Sequence, residues 1–533
     1  MASGSPAKEP GVGKAGSGGV GGADIAHVVV PNRGIVFFAV MLAAMLQVLD
    51  TTIANVALPH MQASLGATSD SITWVLTSYI VASAIALPIT GFLAARFGTR
   101  RLFIVSVAAF VLFSMLCGLS TSLPAMVMFR IGQGIAGAFI IPLSQSIMLD
   151  ISKPSKHALS MSIWGLGVMI GPILGPIIGG WLTESYNWRW VFFVNVPLGA
   201  LALFLLVTQL PHWPARRPRF DITGFLLVGL AIASLQLLLD RGQHVDWFDS
   251  PEVWIYTVVV LCAGWAGVIH LATAHNPMFD RELFADRNLV VAMIIMIIVG
   301  VGIFATLALL PPLLQNLMGY SVLQTGFVLA PRGVGVLLSM QLAGLLVRKG
   351  LDARILVGTG FIVTAASMFE MAHWSLGVDS FHIVSSGVVQ GVGLGLIFIP
   401  LNTVAFATLR PQLRTDGSSI LNLSRSIGAS LGISIVTTLL ARNIQISHSE
   451  VGANLTAATL PIFNIGALDR YGQVGEAALR MIDAEVNRQA AMIAYINDFW
   501  LMGWICLLAT PLVLLIRPPR GNARDLPPPD LGH

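Results

Sequence analysis

The chain has 533 residues, 55% hydrophobic and 11% charged, where a soluble domain carries about 25% charged residues, and its mean hydropathy is +0.79. This composition excludes an ordinary soluble enzyme and describes a multi-pass membrane protein. A formal net charge of +4 and a pI near 9.1 follow from basic residues gathered on one side of a bilayer, so no nucleic-acid partner is expected.

The first thirty residues are rich in Gly, Ala and Ser and contain no apolar core. Residues 1–33 are therefore expected to form a disordered cytoplasmic tail rather than a signal peptide. Apolar runs of the roughly 20 residues that cross a bilayer then begin near Gly34, Ile72, Leu102, Leu123, Leu159, Trp190, Ile222, Val253, Leu289, Gln324, Arg354, Phe381, Ser419 and Asn497. Cytoplasmic connections collect Lys and Arg, which tests this order. With the N-terminus inside, 21 of the 30 Lys and Arg fall in cytoplasmic segments, 6 outside and 3 within spans. Both termini are thus placed in the cytoplasm, with 517–533 a second loose tail. Cys117, Cys262 and Cys506 fall in spans without the paired spacing of a disulfide or zinc site, so no metal is expected.

Within the first span, QVLDTTIANVALP places Asp50 nine residues before Pro59, or about 14 Å from the outer end. Arg130 lies about 10 Å into the fourth span from the same side. Opposite charges at similar depth in a bilayer pair or line a wet cavity. A carboxylate balanced between desolvation and a nearby Arg suits a reversible proton carrier, so Asp50 and Arg130 are candidate coupling residues. The alternative is a fixed strut between helices. Arg332 and Arg425, about two turns from an end of their spans, read equally as participants or as snorkelling anchors.

Gln133–Ser144 reads QGIAGAFIIPLS, and Gln390–Asn402 reads QGVGLGLIFIPLN, 257 residues later. A weaker echo pairs Gly91–Arg101 with Gly344–Arg354. Parallel six-helix repeats are the organisation of the major facilitator fold. The expected fold is therefore all-α and membrane-integral, with halves at 34–208 and 289–516. Two inserted spans lie between them, within 209–288.

Gly167 to Gly180 reads GVMIGPILGPIIGG. Gly167, Gly171, Gly175 and Gly179 form one smooth face, flanked by Pro172 and Pro176 and closed by Gly180. Glycine and proline weaken a helix in water by about 1 and 3 kcal/mol, but in lipid the backbone has no water to turn to, and small residues admit a close neighbour. The stretch is expected to bend or slide against a partner helix. Polar and aromatic residues of inner spans that could line a substrate cavity are Gln47, Asn55, Trp74, Tyr79, Gln145, Trp164 and Asn402. Between Arg442 and Asn497 lies the longest connection. Leu479, Ile482, Val486 and Ile493 there predict one apolar face of an outer amphipathic helix starting near Glu476. Docking of a partner protein is the preferred reading of that helix; a lid over the exit and an outward extension of the last membrane helix are the alternatives.

These motifs resemble the drug:proton antiporters of about fourteen helices within the major facilitator superfamily, most closely the EmrB-like branch, over residues 34 to 516. LDTTIANVALP is similar to that branch's first-helix motif. Arg130, Gln133 and Gly134 match motif B, and Gly171, Pro172, Gly175, Pro176, Gly179 and Gly180 match motif C, which the resemblance places between the two halves. WRWVFFVNVPLG and LLLDRGQHVDWF are further branch signatures. Motif A keeps Gly91, Arg96, Gly98 and Arg101 but has Ala95 where an acid is usual, which puts charge locking of the cytoplasmic gate in doubt. The resemblance implies proton-driven export of hydrophobic, often toxic compounds from a Gram-negative inner membrane, with a periplasmic membrane fusion protein and an outer-membrane channel as partners. It implies no cofactor and no enzymatic activity, and no GxxxxGK[ST] phosphate loop is present. A narrow exporter of a fatty acid, siderophore or antibiotic is the alternative within the class, and a non-transporting sensor or scaffold the alternative outside it.

Overall fold

A computed structural model describes residues 28, 30, 32–213, 219–453 and 473–517; the tails expected at 1–33 and 517–533 lie almost wholly outside them. Fourteen helices among the described residues are long and apolar enough to cross a membrane. In the first half these are α1 (Arg33–Leu65), α2 (Trp74–Phe97), α3 (Thr99–Leu119), α4 (Leu123–Asp150), α5 (His157–Ser185) and α6 (Trp190–Gln209). The inserted pair is α7 (Ile222–Arg241) and α8 (Pro251–Thr273). The second half holds α9 (Arg287–Leu317), α10 (Val322–Arg348), α11 (Ala353–Met371), α12 (Ser380–Ala407), α13 (Arg414–Ala453) and α14 (Gln473–Ala509). No strand occurs among the described residues.

The prolines do not break α5, which runs unbroken through Pro172 and Pro176. Glycine packing explains why it holds. A Cβ on Gly167 would meet Met41, one on Gly171 would lie 2.9 Å from the Leu49 backbone nitrogen, and one on Gly175 would lie 2.1 Å from Thr52 Oγ1. The smooth face therefore nests on α1, the helix that carries Asp50. The seam with the other half is made by a different face of α5. Ile173 and Ile177 fill notches at Gly333 and Gly326 of α10, and Gln341 Nε2 donates to the Ser162 carbonyl at 3.2 Å.

The inserted helix α7 lies where the halves meet. Its Ile232 packs with Ala84 of α2 and Leu423 of α13, while α8 packs on α7 and leaves Leu261, Trp265 and Val268 exposed. Such bare apolar surface belongs against lipid.

The long connection departs from expectation. Residues 473–509 form one helix, so the stretch predicted as a separate amphipathic helix from Glu476 is an outward continuation of the last span. Val486 and Ala490 are buried and Ile482 half-buried, but Ile493 faces outward. The apolar face turns onto the neighbouring helix because α13 also runs on, to Ala453. Leu479 lies among residues whose side chains are outside the description.

Candidate functional site

Asp50 and Arg130 meet. Arg130 Nη1 donates to Asp50 Oδ2 at 2.8 Å, and both side chains are completely buried. Gln133 of motif B, Asn195 of α6 and Ser114 of α3 complete the site. Gln133 Nε2 donates to Asp50 Oδ1 at 2.9 Å, and Asn195 Nδ2 donates to the same oxygen at 2.6 Å. Asn195 also donates to Ser114 Oγ (2.9 Å), whose hydroxyl donates to the Phe192 carbonyl. Gln133 Oε1 accepts from Arg130 at 2.9 Å, and Arg130 Nε donates to the Val75 carbonyl. The guanidinium lies 4.9 Å from the Tyr79 ring centre and 5.3 Å from that of Phe192.

Local sequence explains this convergence. A one-residue interruption at Val194 separates Trp190–Phe193 from Asn195–Gln209, so the segment carrying Asn195 starts at this depth. Gly134 admits the Tyr79 backbone, whose carbonyl oxygen would lie 2.5 Å from a Cβ. Burying an ion pair is costly unless its remaining polar atoms are bonded; here the carboxylate accepts three hydrogen bonds.

A second constellation closes the face on which the described chain begins and ends. Arg414 Nη1 of α13 donates to Asp150 Oδ1 of α4 at 3.0 Å, and Thr415 donates to Ser146 at 2.9 Å. Gln145 accepts from Ser418 and, at 2.9 Å, from Asn422. Ser419 donates to the Leu87 carbonyl. Gly91 of motif A lets the Asp416 carboxylate of α13 press onto α2. An acid thus reaches motif A from the opposite half, at Gly91 rather than at Ala95.

Of the proposed cavity residues, Tyr79 stacks on Arg130, Gln145 joins the closed seam, and Trp164 Nε1 donates to Ser144 at 2.9 Å. Asn402 turns back onto the Phe398 carbonyl, Trp74 faces Arg241, Asn55 is exposed, and Gln47 is half-buried. None of the seven lines the cleft of about 210 Å³ bounded by Phe97, Arg100, His212 and Trp213. Arg96 and Arg101 are exposed, and Gly98 adopts φ +85° between α2 and α3. Arg332 is buried against Gly387, and Arg425 donates to Asn422 at 3.0 Å, so neither guanidinium snorkels freely.

Asn195 and Ser114 escaped the sequence reading because a neutral polar residue in an apolar run carries no charge signal. Asp150 and Arg414 did offer one, as opposite charges at equivalent ends of the two repeats.

Two six-helix halves, the first holding a buried polar network, with an inserted pair at their seam, define a membrane transporter fold. The model of the Major Facilitator Superfamily matches residues 40–433, and the chain belongs to that superfamily. It is 36% identical to the multidrug export protein EmrB of Escherichia coli K12, over 91% of this chain and 96% of the relative. It is 34% identical to the fatty acid resistance protein FarB of Neisseria gonorrhoeae, over 90% and 95% respectively. Among solved structures, the proton:xylose symporter XylE aligns with TM-score 0.59 at 15% identity, covering 90% of this chain and 95% of that one. That likeness concerns the fold. The chain is a multi-pass transporter of that superfamily and not an enzyme.

Proposed function

We propose that the chain exports hydrophobic, drug-like or toxic compounds across a bacterial inner membrane in exchange for protons, by alternating access. Asp50 carries the proton, and Arg130 and Gln133 set when it is released. The observation that carries this reading is a fully buried carboxylate tied to Arg130, Gln133 and Asn195. Both termini face the cytoplasm, so the latched face is the cytoplasmic gate, shut. Gln47, Tyr79, Gln145 and their companions line the substrate path once the halves part. In the cell the chain is the inner-membrane member of a tripartite pump, with a periplasmic membrane fusion protein and an outer-membrane channel.

A membrane potential supplies about 2.3 kcal/mol per charge per 100 mV and a pH gradient about 1.4 kcal/mol per unit. One proton exchanged for a neutral compound then supports a gradient of roughly several hundredfold, at tenfold per 1.4 kcal/mol. In reconstituted vesicles, export should require the proton gradient, and Asp50→Asn should abolish it while the protein still inserts. Normal gradient-driven export by the Asn variant would sink the assignment. The 34% identity to a fatty acid resistance protein favours one second reading, a narrow fatty-acid exporter, and competition between fatty acids and cationic dyes in the same vesicles separates the two.

A further inference from the structure

The last helix of each half carries one buried acid or amide in its apolar run, about four to five turns from its end. In the first half this is Asn195, before the end at Gln209; in the second it is Asp498, before the final helical turns end at Leu515. Asn195 donates to Asp50. Asp498 is 1% exposed, and neither of its carboxylate oxygens has a hydrogen-bond partner among the described residues.

Its surroundings are apolar. Tyr495, Phe499 and Met502, within one turn of it, are buried in a cluster with Leu309, Met368 and Val436. The helices packed on α14 bring no charge to it. On α9 the ionisable side chain is Arg287, engaged with the Leu515 carbonyl, and α11 has only Arg354 and Glu370, at its two ends. On α13, Arg425 is bonded to Asn422, Arg414 and Asp416 sit at the cytoplasmic seam, and Arg442, His448 and Glu450 lie toward the far end. Arg488, farther along α14, donates to the Leu317 carbonyl.

A second orphan stands in the same half. Gln390, 0% exposed, donates to Thr306 at 3.3 Å, and its Oε1 has no partner. Gln390 is the repeat counterpart of Gln133, which bonds both Asp50 and Arg130. Thr306 in turn touches Met502, one turn from Asp498. The second half therefore keeps the amide of the coupling network and has Gly387 where the repeat places Arg130. Its acid sits on the last helix instead.

A carboxyl buried without a cation or a donor is stable only with its proton on. We propose that Asp498 is a second proton-binding carboxylate of the transport cycle, protonated in the closed state and emptied when its half opens to water. The carboxyl O–H bond breaks when the half opens to the cytoplasm, the proton passes to water there as hydronium, and the carboxylate takes up its next proton from water on the opposite side. The inference rests on proton-coupled export as the activity.

The test uses the full chain in lipid nanodiscs and vesicles. At neutral pH, infrared difference spectra should show a protonated-carboxyl C=O band in the wild type and in Asp50→Asn that Asp498→Asn lacks. Because Asn imitates a neutral carboxyl, Asp498→Asn should keep the wild-type unfolding temperature. With the membrane potential clamped at zero and one pH unit imposed, each coupled proton is worth about tenfold in limiting substrate gradient. The Asp498→Asn gradient should therefore fall about tenfold or vanish. Absence of the band, a destabilised Asn variant or a wild-type limiting gradient would each overturn the proposal. If Asp50→Asn exports normally, the reading of Asp50 fails on its own, and the band still decides Asp498.

Discussion

At the scale of single residues, the coupling site is a competition between burying a charge and satisfying it. Asp50 has three donors, so removing one exposes how much each contributes. Asn195→Ala deletes a bond to a charged group, worth about 1.5–3 kcal/mol, whereas Ser114→Ala deletes bonds between neutral groups, worth about 0.5–1.5 kcal/mol. Thermal unfolding in detergent should rank the two variants in that order, with export slowed more by Asn195→Ala. Equal losses would mean that Asn195 is only packing. Matching depths of Asp50 and Arg130 made their pairing legible in the sequence. Asp498 was not legible, because the last apolar run in the sequence begins near Asn497, which puts the acid at its rim. The helix in fact starts at Gln473, which carries Asp498 into the packed interior.

Elements show why the glycine spacing of α5 was informative and yet silent about its partner. Spacing of four gives a smooth face, but only the neighbours decide what fills it. That neighbour is α1, and Thr52 Oγ1 also donates to the Gly171 carbonyl at 3.3 Å. Under the proposed alternating access, movement of α5 would be transmitted to the helix of Asp50. At Gly167 a methyl group would meet a flexible Met41 side chain, whereas at Gly171 it would meet backbone. Gly171→Ala should accordingly impair export in vesicles far more than Gly167→Ala, both inserting normally; the reverse order would remove the α1 contact from the mechanism. The inserted pair is clasped differently. Asp221, just before α7, accepts from the Gly224 and Met278 backbone N–H groups at 2.8 and 3.1 Å and bonds His270 Nε2 of α8 at 2.8 Å. Burial pushes its carboxyl up, but these hydrogen bonds outweigh it and hold the group below the usual carboxylate range. A depressed value in the folded state stabilises above the unfolded value of about 3.9, and that contribution is lost as pH falls through the folded value. Protection from hydrogen exchange in the first turn of α7, relative to the intrinsic rate at each pH, should therefore be high at neutral pH and fall below about pH 4. Asp221→Ala should make it low at every pH, and an unchanged Ala variant would refute the clasp.

For the whole molecule, helix length is the telling quantity. The fourteen spans and two halves were legible because apolar runs and basic loops report on lipid directly. What lay beyond the lipid was not, because an amphipathic pattern is the same for a helix on a membrane and one packed on a neighbour. α13 has 40 residues and α14 has 37, which at 1.5 Å per residue is about 60 and 55 Å, twice a hydrocarbon core of about 30 Å. Since α13 starts at the latched face with Arg414, the excess projects from the opposite one. The projecting parts stay paired: His448 lies 3.1 Å from Asp483, and Val486 and Ala490 are buried. Under the proposed tripartite pump, such a stalk outside the spans would be dispensable for rocking two halves but well placed to meet a periplasmic partner. Replacing residues 445–490 with a short flexible linker should leave gradient-driven export in vesicles within about twofold of wild type. In whole cells the same variant should lose drug resistance, because substrate released at the inner membrane no longer reaches an outer-membrane channel. Export that collapses in vesicles as well would make the stalk part of the transporter's own cycle and end the docking reading.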